Sequence, residues 1–381
     1  MPANQARAAR LRGTRWDVFC RVVDNYGDAG FCWRLARQLV REHGLQVRLW
    51  IDDLATLEAL QPGAAAGTVL DGVRIEAWHE ADPRLAAPHP EALADVVIGA
   101  LGCTLPEGVR AAMRVRRTVW IDLEYLSAES WVHTHHGLPS PKSDGLVEHF
   151  FFPGFDASTG GLLREADLLE RHDAFDDTAR SAFLASIGVA ARPGEPIASL
   201  FCYPDAPVAA LLEALAARDE GWRVLVPAGV APAVTGHPLV VPVPFVPQAD
   251  YDRLLWSCTL NFVRGEESFV RGLWAQRPMV WQAYPQAEGA HLPKVGAFVD
   301  GWCDAAAPGR APAMALTGMS FAWNAAPETL AADPSLLPQA LERLLPALPA
   351  LREASARWAR NAARRRDLAA RLVDFVAEKL Y

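Results

Sequence analysis

Short apolar runs alternate with stretches in which apolar positions recur every three or four residues. WDVFCRVV (16–23) reads as a strand, and an amphipathic helix is expected over 29–43. QVRLWI (46–51), VRIEAW (73–78), ADVVIGAL (94–101) and RTVWIDL (117–123) read as further strands. The alternation lapses over 153–180, a stretch rich in glycine and acids that reads as a loop and helix leading to a linker. It restarts with PIASLFCY (196–203), a helix over 206–218, WRVLVP (222–227), LVVPVPF (239–245), TLNFV (259–263) and PMVWQA (278–283). The pattern predicts an α/β protein with two Rossmann-like domains, each an open and mostly parallel sheet covered by helices. The expected boundaries are a disordered lead-in at 1–14, domains at 15–180 and 181–349, and an arginine-rich helix at 350–381 packing back on the first domain. Two such domains make a cleft, and ligands bind beyond the carboxyl ends of their strands.

The chain has 381 residues, enough for two domains with full cores and no disulfide staples. Its formal net charge of −8 argues against a nucleic-acid partner. No apolar run spans a membrane, and the basic start has no apolar core of a signal peptide, so a cytoplasmic protein is expected. The six cysteines are scattered without a CxxC pair and read as reduced, buried thiols. HTHHG (133–137) places three histidines close together, but a zinc site needs a fourth ligand, and a polar surface loop is the expected reading. His291 is expected on a helix.

Two loops between a strand and a helix carry the candidate chemistry. DNYGDAGFCWRLARQL (24–39) follows the first strand, where such sheets commonly hold phosphate, yet it contains Asp24 and Asp28. One acid is enough to cap the helix; two exceed that need. The GxGxxG fingerprint is absent, which disfavours a nicotinamide cofactor. An ionised pair suits a cation, either by binding it or by taking its proton, while a hard metal would require more oxygen ligands.

The second loop lies in NFVRGEESFVRGLWAQRP (261–278). Gly265 permits close backbone approach, Arg264 adds positive charge, and Ser268 stands where a helical pattern begins. A helix N-terminus of this kind suits a diphosphate. Plain capping, with Glu266 and Glu267 favouring the dipole, fits the same residues. Upstream, Phe245, Gln248 and Tyr251 offer ring faces and an amide edge suited to a nucleobase, as does Tyr203 at a strand end. Core packing is the alternative for the aromatics.

DNYGDAGFCWRLARQL, WIDLEYLSAESWV (120–132), FFFPGF (150–155) and NFVRGEESFVRGLWAQRPMVWQAYPQ (261–286) resemble blocks of the EarP family, in family order from near residue 16 to about 290. EarP proteins are rhamnosyltransferases that modify an arginine of bacterial elongation factor P. The resemblance implies a GT-B fold and a dTDP-β-L-rhamnose donor held mainly by the C-terminal domain. It implies an acceptor arginine on elongation factor P docked against the N-terminal domain, with inversion at the sugar. Modification would activate the factor for relief of polyproline stalling.

Residue by residue, the resemblance places the family's acceptor-side acids on Asp24 and Asp28 and its diphosphate motif on Glu266, Glu267 and Ser268. Glu267 stands where the family often has Asp. Arg264 falls near the diphosphate, and Phe245 and Gln248 in the thymine pocket with Tyr203 and Tyr251. Asp28 is then expected as the base, Asp24 as a holder of the loop or the guanidinium, and Glu266 at the sugar or the diphosphate. No cofactor or metal is implied. Two rivals share these features: a GT-B enzyme using another nucleotide sugar or a small-molecule acceptor, and an inactive arginine-binding module.

Overall fold

The computed structural model describes residues 10–24, 26–79, 82–86, 92–190, 192 and 194–380. Strand and helix alternate in it as the sequence leads one to expect, and the strands gather into two sheets. The first contains β1 (Arg15–Cys20), β2 (Gln46–Ile51), β3 (Val69–Leu70), β4 (Val73–Ala77), β5 (Val96–Ala100), β6 (Val119–Leu123), β7 (Pro139–Pro141) and β8 (Val147–Phe151). Their order is β3-β4-β2-β1-β5-β6-β8-β7. The pairings from β4 through β8 are parallel, and the short edge strands β3 and β7 run antiparallel. The second sheet is wholly parallel and contains β9 (Ile197–Leu200), β10 (Arg223–Pro227), β11 (Val240–Val243), β12 (Leu260–Arg264) and β13 (Met279–Gln282), ordered β11-β10-β9-β12-β13. Strand order reverses beside β1 in one sheet and beside β9 in the other. These switch points are where doubly wound sheets leave room for ligands.

The chain divides into one unit of 1–166 plus 365–381 and a second of 167–364. The sequence pattern places this boundary at 180. Side chains explain the earlier position. Arg34 pairs with Glu165 at 2.8 Å and Gln38 donates to the Arg164 carbonyl at 2.8 Å, which holds 164–165 on the first unit. The next helix, Leu168–Asp173, belongs to the second unit, where the His172 ring meets Trp256 edge-on at 5.4 Å.

Two further expectations change. Residues 1–9 of the expected lead-in lie outside the described residues, but 10–14 are folded: Leu11 is fully buried, and the Gly13 N–H donates to the Gly44 carbonyl. The C-terminal helix is two helices, Leu348–Ala362 in the second unit and Leu368–Leu380 in the first. The break falls at the arginine run 364–366. Asp367 restarts the helix by accepting the Ala370 N–H at 3.0 Å, and its carboxylate also takes a bond from Gln38. Phe375 then packs on Phe151 and His136 of its own unit. No helix among the described residues is long and apolar enough to cross a membrane. None of the six cysteines is in a disulfide, and all but Cys303 are buried.

The first unit's core holds Phe19 stacked on Trp50 with Trp78 against its edge. In the second, the helix Glu267–Trp274 lies tight on β13. Phe269 stacks on Trp281 at 4.4 Å, and a Cβ at Gly272 would fall 2.6 Å from the Met279 sulfur, so a larger residue there would have to push the methionine side chain aside. The same helix is tied to the helix Gln248–Ser257 by two polar contacts one turn apart. Gln248 Nε2 donates to Glu267 Oε1 at 3.2 Å, and Arg271 grips Asp252 with two bonds of 2.7 Å, both residues almost wholly buried. Removing one partner of such a pair leaves an uncompensated buried charge. Asp252→Ala is therefore expected to cost about 3–5 kcal/mol in urea unfolding; a loss below 1 kcal/mol would contradict this.

Asp122 on β6 gives a second prediction. Burial, with Glu124 and Glu148 nearby and only Lys142 opposing, pushes its carboxyl from 3.8 up to about 7. Between those values the folded protein holds a proton that the unfolded chain has released, so stability falls as pH rises through the window. Asp122→Asn removes that cost. With solvent screening allowed for, it is expected to stabilise by about 1–2 kcal/mol at pH 8 and by nothing near pH 4. Urea melts at both values check it, and a gain equal at the two would count against the cause named here.

Candidate active site

In the first unit, the loop after β1 is shaped by carboxylates. The Val22 N–H donates to Asp52 Oδ1 at 2.8 Å, and the N–H groups of Val23 and Asp24 both donate to Asp28 Oδ2 at 2.8 Å. Asp28 is the third residue of the helix Tyr26–His43 and reaches back over its start, as the acid of a capping box does. Successive main-chain donors before a helix are what a phosphate would use. Here the protein's own acids take them. This accounts for Asp28 where the sequence pattern suggests a phosphate loop, with Asp52 as its partner; Asp24 contributes its own N–H to the same arrangement.

The two aspartates are not equivalent. Asp28 is 1% exposed. Burial pushes its carboxyl up, Asp52 adds to that, and the two amides together with the Tyr125 hydroxyl pull it down. Asp24 is only half-buried. Its Oδ2 lies 2.8 Å from where a Cβ on Gly27 would be, so any other residue at 27 would have to displace it. Asn25, between them, lies outside the described residues.

In the second unit the other candidates converge on the carboxyl ends of β9 and β12. The Arg264 guanidinium lies over Phe201 at 4.5 Å and Tyr203 at 4.7 Å and donates to the Cys202 carbonyl at 3.1 Å. The chain turns through Gly265 at φ 60°. Ser268 does not cap the helix through its side chain. Its hydroxyl accepts from the Arg264 N–H at 3.1 Å and donates to the Arg264 carbonyl, clamping the turn. The helix starts at Glu267, with half-buried Glu266 at the N-cap position.

Tyr251 is half-buried with its ring 6.0 Å from Phe201, and desolvation of its hydroxyl together with Glu267 pushes that hydroxyl's pKa up. Gln248 and Glu267 are bonded to each other. Tyr203, Gln248, Tyr251, Arg264, Glu267 and Ser268 thus form one connected group. Phe245 stands half-buried in the turn between β11 and the helix that Gln248 begins.

Several participants were not singled out on sequence. Asp52 immediately follows β2 beside β1, and that position was the available signal. Tyr125 lies two residues past β6, inside a quoted block, but nothing in its spacing marks it. Gln282 ends β13: its Oε1 accepts the Tyr203 N–H at 2.8 Å and its Nε2 donates to Asp205 at 3.2 Å, fixing the turn that carries Tyr203.

The histidines of HTHHG disperse to three partners. His133 pairs with Asp156 at 2.6 Å, His135 lies 2.9 Å from the Trp131 carbonyl, and His136 accepts the Phe152 N–H at 3.0 Å. The segment is a short helix rather than a loop, and its last histidine is packed inward, with burial and Arg371 lowering His136 to about 4. His291 immediately precedes the helix Leu292–Ala306 and bonds the chain at Gln286 and Asn324. No group of three metal-ligating side chains occurs among the described residues.

Comparison with known proteins adds the family. The chain is 45% identical to a protein-arginine rhamnosyltransferase of Pseudomonas putida and 45% identical to one of Pseudomonas aeruginosa; each match covers 96% of this chain and 99% of the relative. A solved structure described as "Structural basis for EarP-mediated arginine glycosylation of translation elongation factor EF-P" superposes with a TM-score of 0.65 at 33% identity, covering 96% of this chain and 99% of that one. The shared fold is GT-B, with two Rossmann-like domains. Residues 16–377 match the family model for the elongation factor P (EF-P) rhamnosyltransferase EarP, and the chain belongs to that family.

Proposed function

We propose that this protein transfers L-rhamnose from dTDP-β-L-rhamnose to one arginine of elongation factor P in the cytoplasm, with inversion at the anomeric carbon. What carries the reading, beside family membership, is how charge is placed at the two candidate sites. The acids of the first unit fill the amides after β1 and leave no phosphate loop there, which suits a cationic acceptor. The second unit sets a guanidinium and a helix N-terminus at the end of β12, which suits a diphosphate.

A guanidinium is a poor nucleophile because its lone pairs are delocalised and it stays protonated at a pKa above 12. A carboxylate cannot remove that proton in advance. It can orient the cation and accept the proton while the bond forms. Asp28 is the base in this reading, with a carboxyl raised by burial and anchored by two amides. Asp24, the more accessible of the two acids, holds the guanidinium. A guanidinium nitrogen attacks C1 of rhamnose, the bond from C1 to the diphosphate oxygen breaks on the opposite face, and the nitrogen's proton passes to Asp28. The electron pair leaves with dTDP.

Arg264 and the first turn at Glu267 and Ser268 meet the leaving charge, a role that needs no metal. Glu266 faces the sugar end of the donor. Phe245, Tyr203, Gln248 and Tyr251 bound the thymine pocket, where the Gln248 amide is already oriented by Glu267.

Incubating elongation factor P with the enzyme and dTDP-rhamnose is expected to add one deoxyhexose mass to a single arginine. UDP and GDP sugars are expected to give at least tenfold less product. No mass gain, or a preference for a UDP sugar, would overturn the assignment.

A further inference from the structure

We propose that Asp52 and Tyr125 are positioning residues for Asp28, together fixing its carboxylate and setting its basicity. The proposal rests on the reading of Asp28 as the base. Its geometry is independent of that reading. Three loops at the carboxyl ends of parallel strands gather around Asp28. The loop after β1 supplies the amides of Val23 and Asp24. The residue after β2, Asp52, holds the neighbouring amide of Val22 at 2.8 Å, so Asp52 and Asp28 share one short stretch of main chain. The turn after β6 supplies the Tyr125 hydroxyl, which donates to Asp28.

The turn after β5 passes beside Tyr125: a Cβ built on Gly102 would lie 3.9 Å from the tyrosine ring edge. That turn takes an uncommon path, with Leu101 at φ 56° although it is not glycine. The Leu101 N–H bonds the Leu123 carbonyl at 2.7 Å, joining the two turns behind the tyrosine. Strained backbone kept in place by its surroundings is a frequent mark of functional sites. A tyrosine 39% exposed gains nothing for the core from such an arrangement.

The two residues act on Asp28 in opposite directions. Beyond its own burial, the charge of Asp52 pushes its carboxyl up, whereas the Tyr125 hydroxyl, like the amides of Val23 and Asp24, stabilises the ionised form. Asp24 adjoins the same carboxylate through its N–H, and Cys20, at the end of β1, is a further titratable neighbour, a thiol kept neutral by its hydrogen bond with Cys32 and by burial.

The test is the pH profile of kcat/KM for the acceptor at saturating donor. A base must be ionised, so activity falls on the acid side through the Asp28 pKa. Asp52→Asn keeps an oxygen for the Val22 N–H but removes the charge. Its acid limb is expected to move to lower pH by about half a unit, a roughly threefold gain in rate below the limb. Tyr125→Phe keeps the ring and loses the hydroxyl, and its limb is expected to move to higher pH by a similar amount, with kcat reduced and the donor KM unchanged. Limbs that stay in place, or that move in the same direction, would overturn the positioning roles. Asp28→Asn with near-normal transfer and an intact acid limb would instead overturn the base reading, and the two failures are distinguishable.

Discussion

The carboxylate of Asp28 on the amides of Val23 and Asp24 is the contact on which the loop after β1 depends. It places a fixed negative charge where a doubly wound sheet would otherwise offer donors to an anion. The consequences are local and chemical. The loop is locked without a ligand, its charge is reversed, and a half-buried second acid, Asp24, is set over Gly27. Burial holds the Asp28 carboxyl above its ordinary range while three hydrogen bonds keep it ionisable, a combination suited to a base that works only as a bond forms.

The second unit handles the opposite charge with a different set of restraints. Ser268 clamps the main chain of Arg264, two ring faces support the guanidinium, and Gln282 fixes the turn bearing Tyr203. Beneath them, Arg271 and Asp252 join the helices that begin at Glu267 and Gln248. Much of the polar chemistry in this unit thus serves placement. Directed groups already held by neighbours lose little freedom when a ligand arrives.

The strands beside each switch point were legible because buried parallel strands read as β-rich apolar runs, as in WDVFC, ADVVIGAL and TLNFV. The two unusual loops were legible by residue type, since paired acids and a glycine next to arginine are local signals. What escaped was set by distant parts of the chain. Asp28 differs from Asp24 through Asp52 and Tyr125, which follow β2 and β6, one strand and five strands further along the chain. Ser268 reads on sequence as either a cap or a phosphate contact, the two local options, but its hydroxyl turns back to Arg264. β8 was missed because VEHFF is short and puts Glu148 beside Lys142, which breaks the apolar alternation. The break at 363–367 was hidden by helical spacing continuing on both sides, with Asp367 inconspicuous until its contacts with Ala370 and Gln38 were known.

The most direct measurement of the central claim is single-turnover rhamnosyl transfer to elongation factor P by Asp28→Asn, with thermal melting and dTDP calorimetry on the same preparation. Transfer is expected to fall by about 100-fold or more, the range of a lost general base, while melting and dTDP affinity stay near those of the unaltered protein. Transfer within a few-fold of the unaltered rate would contradict it.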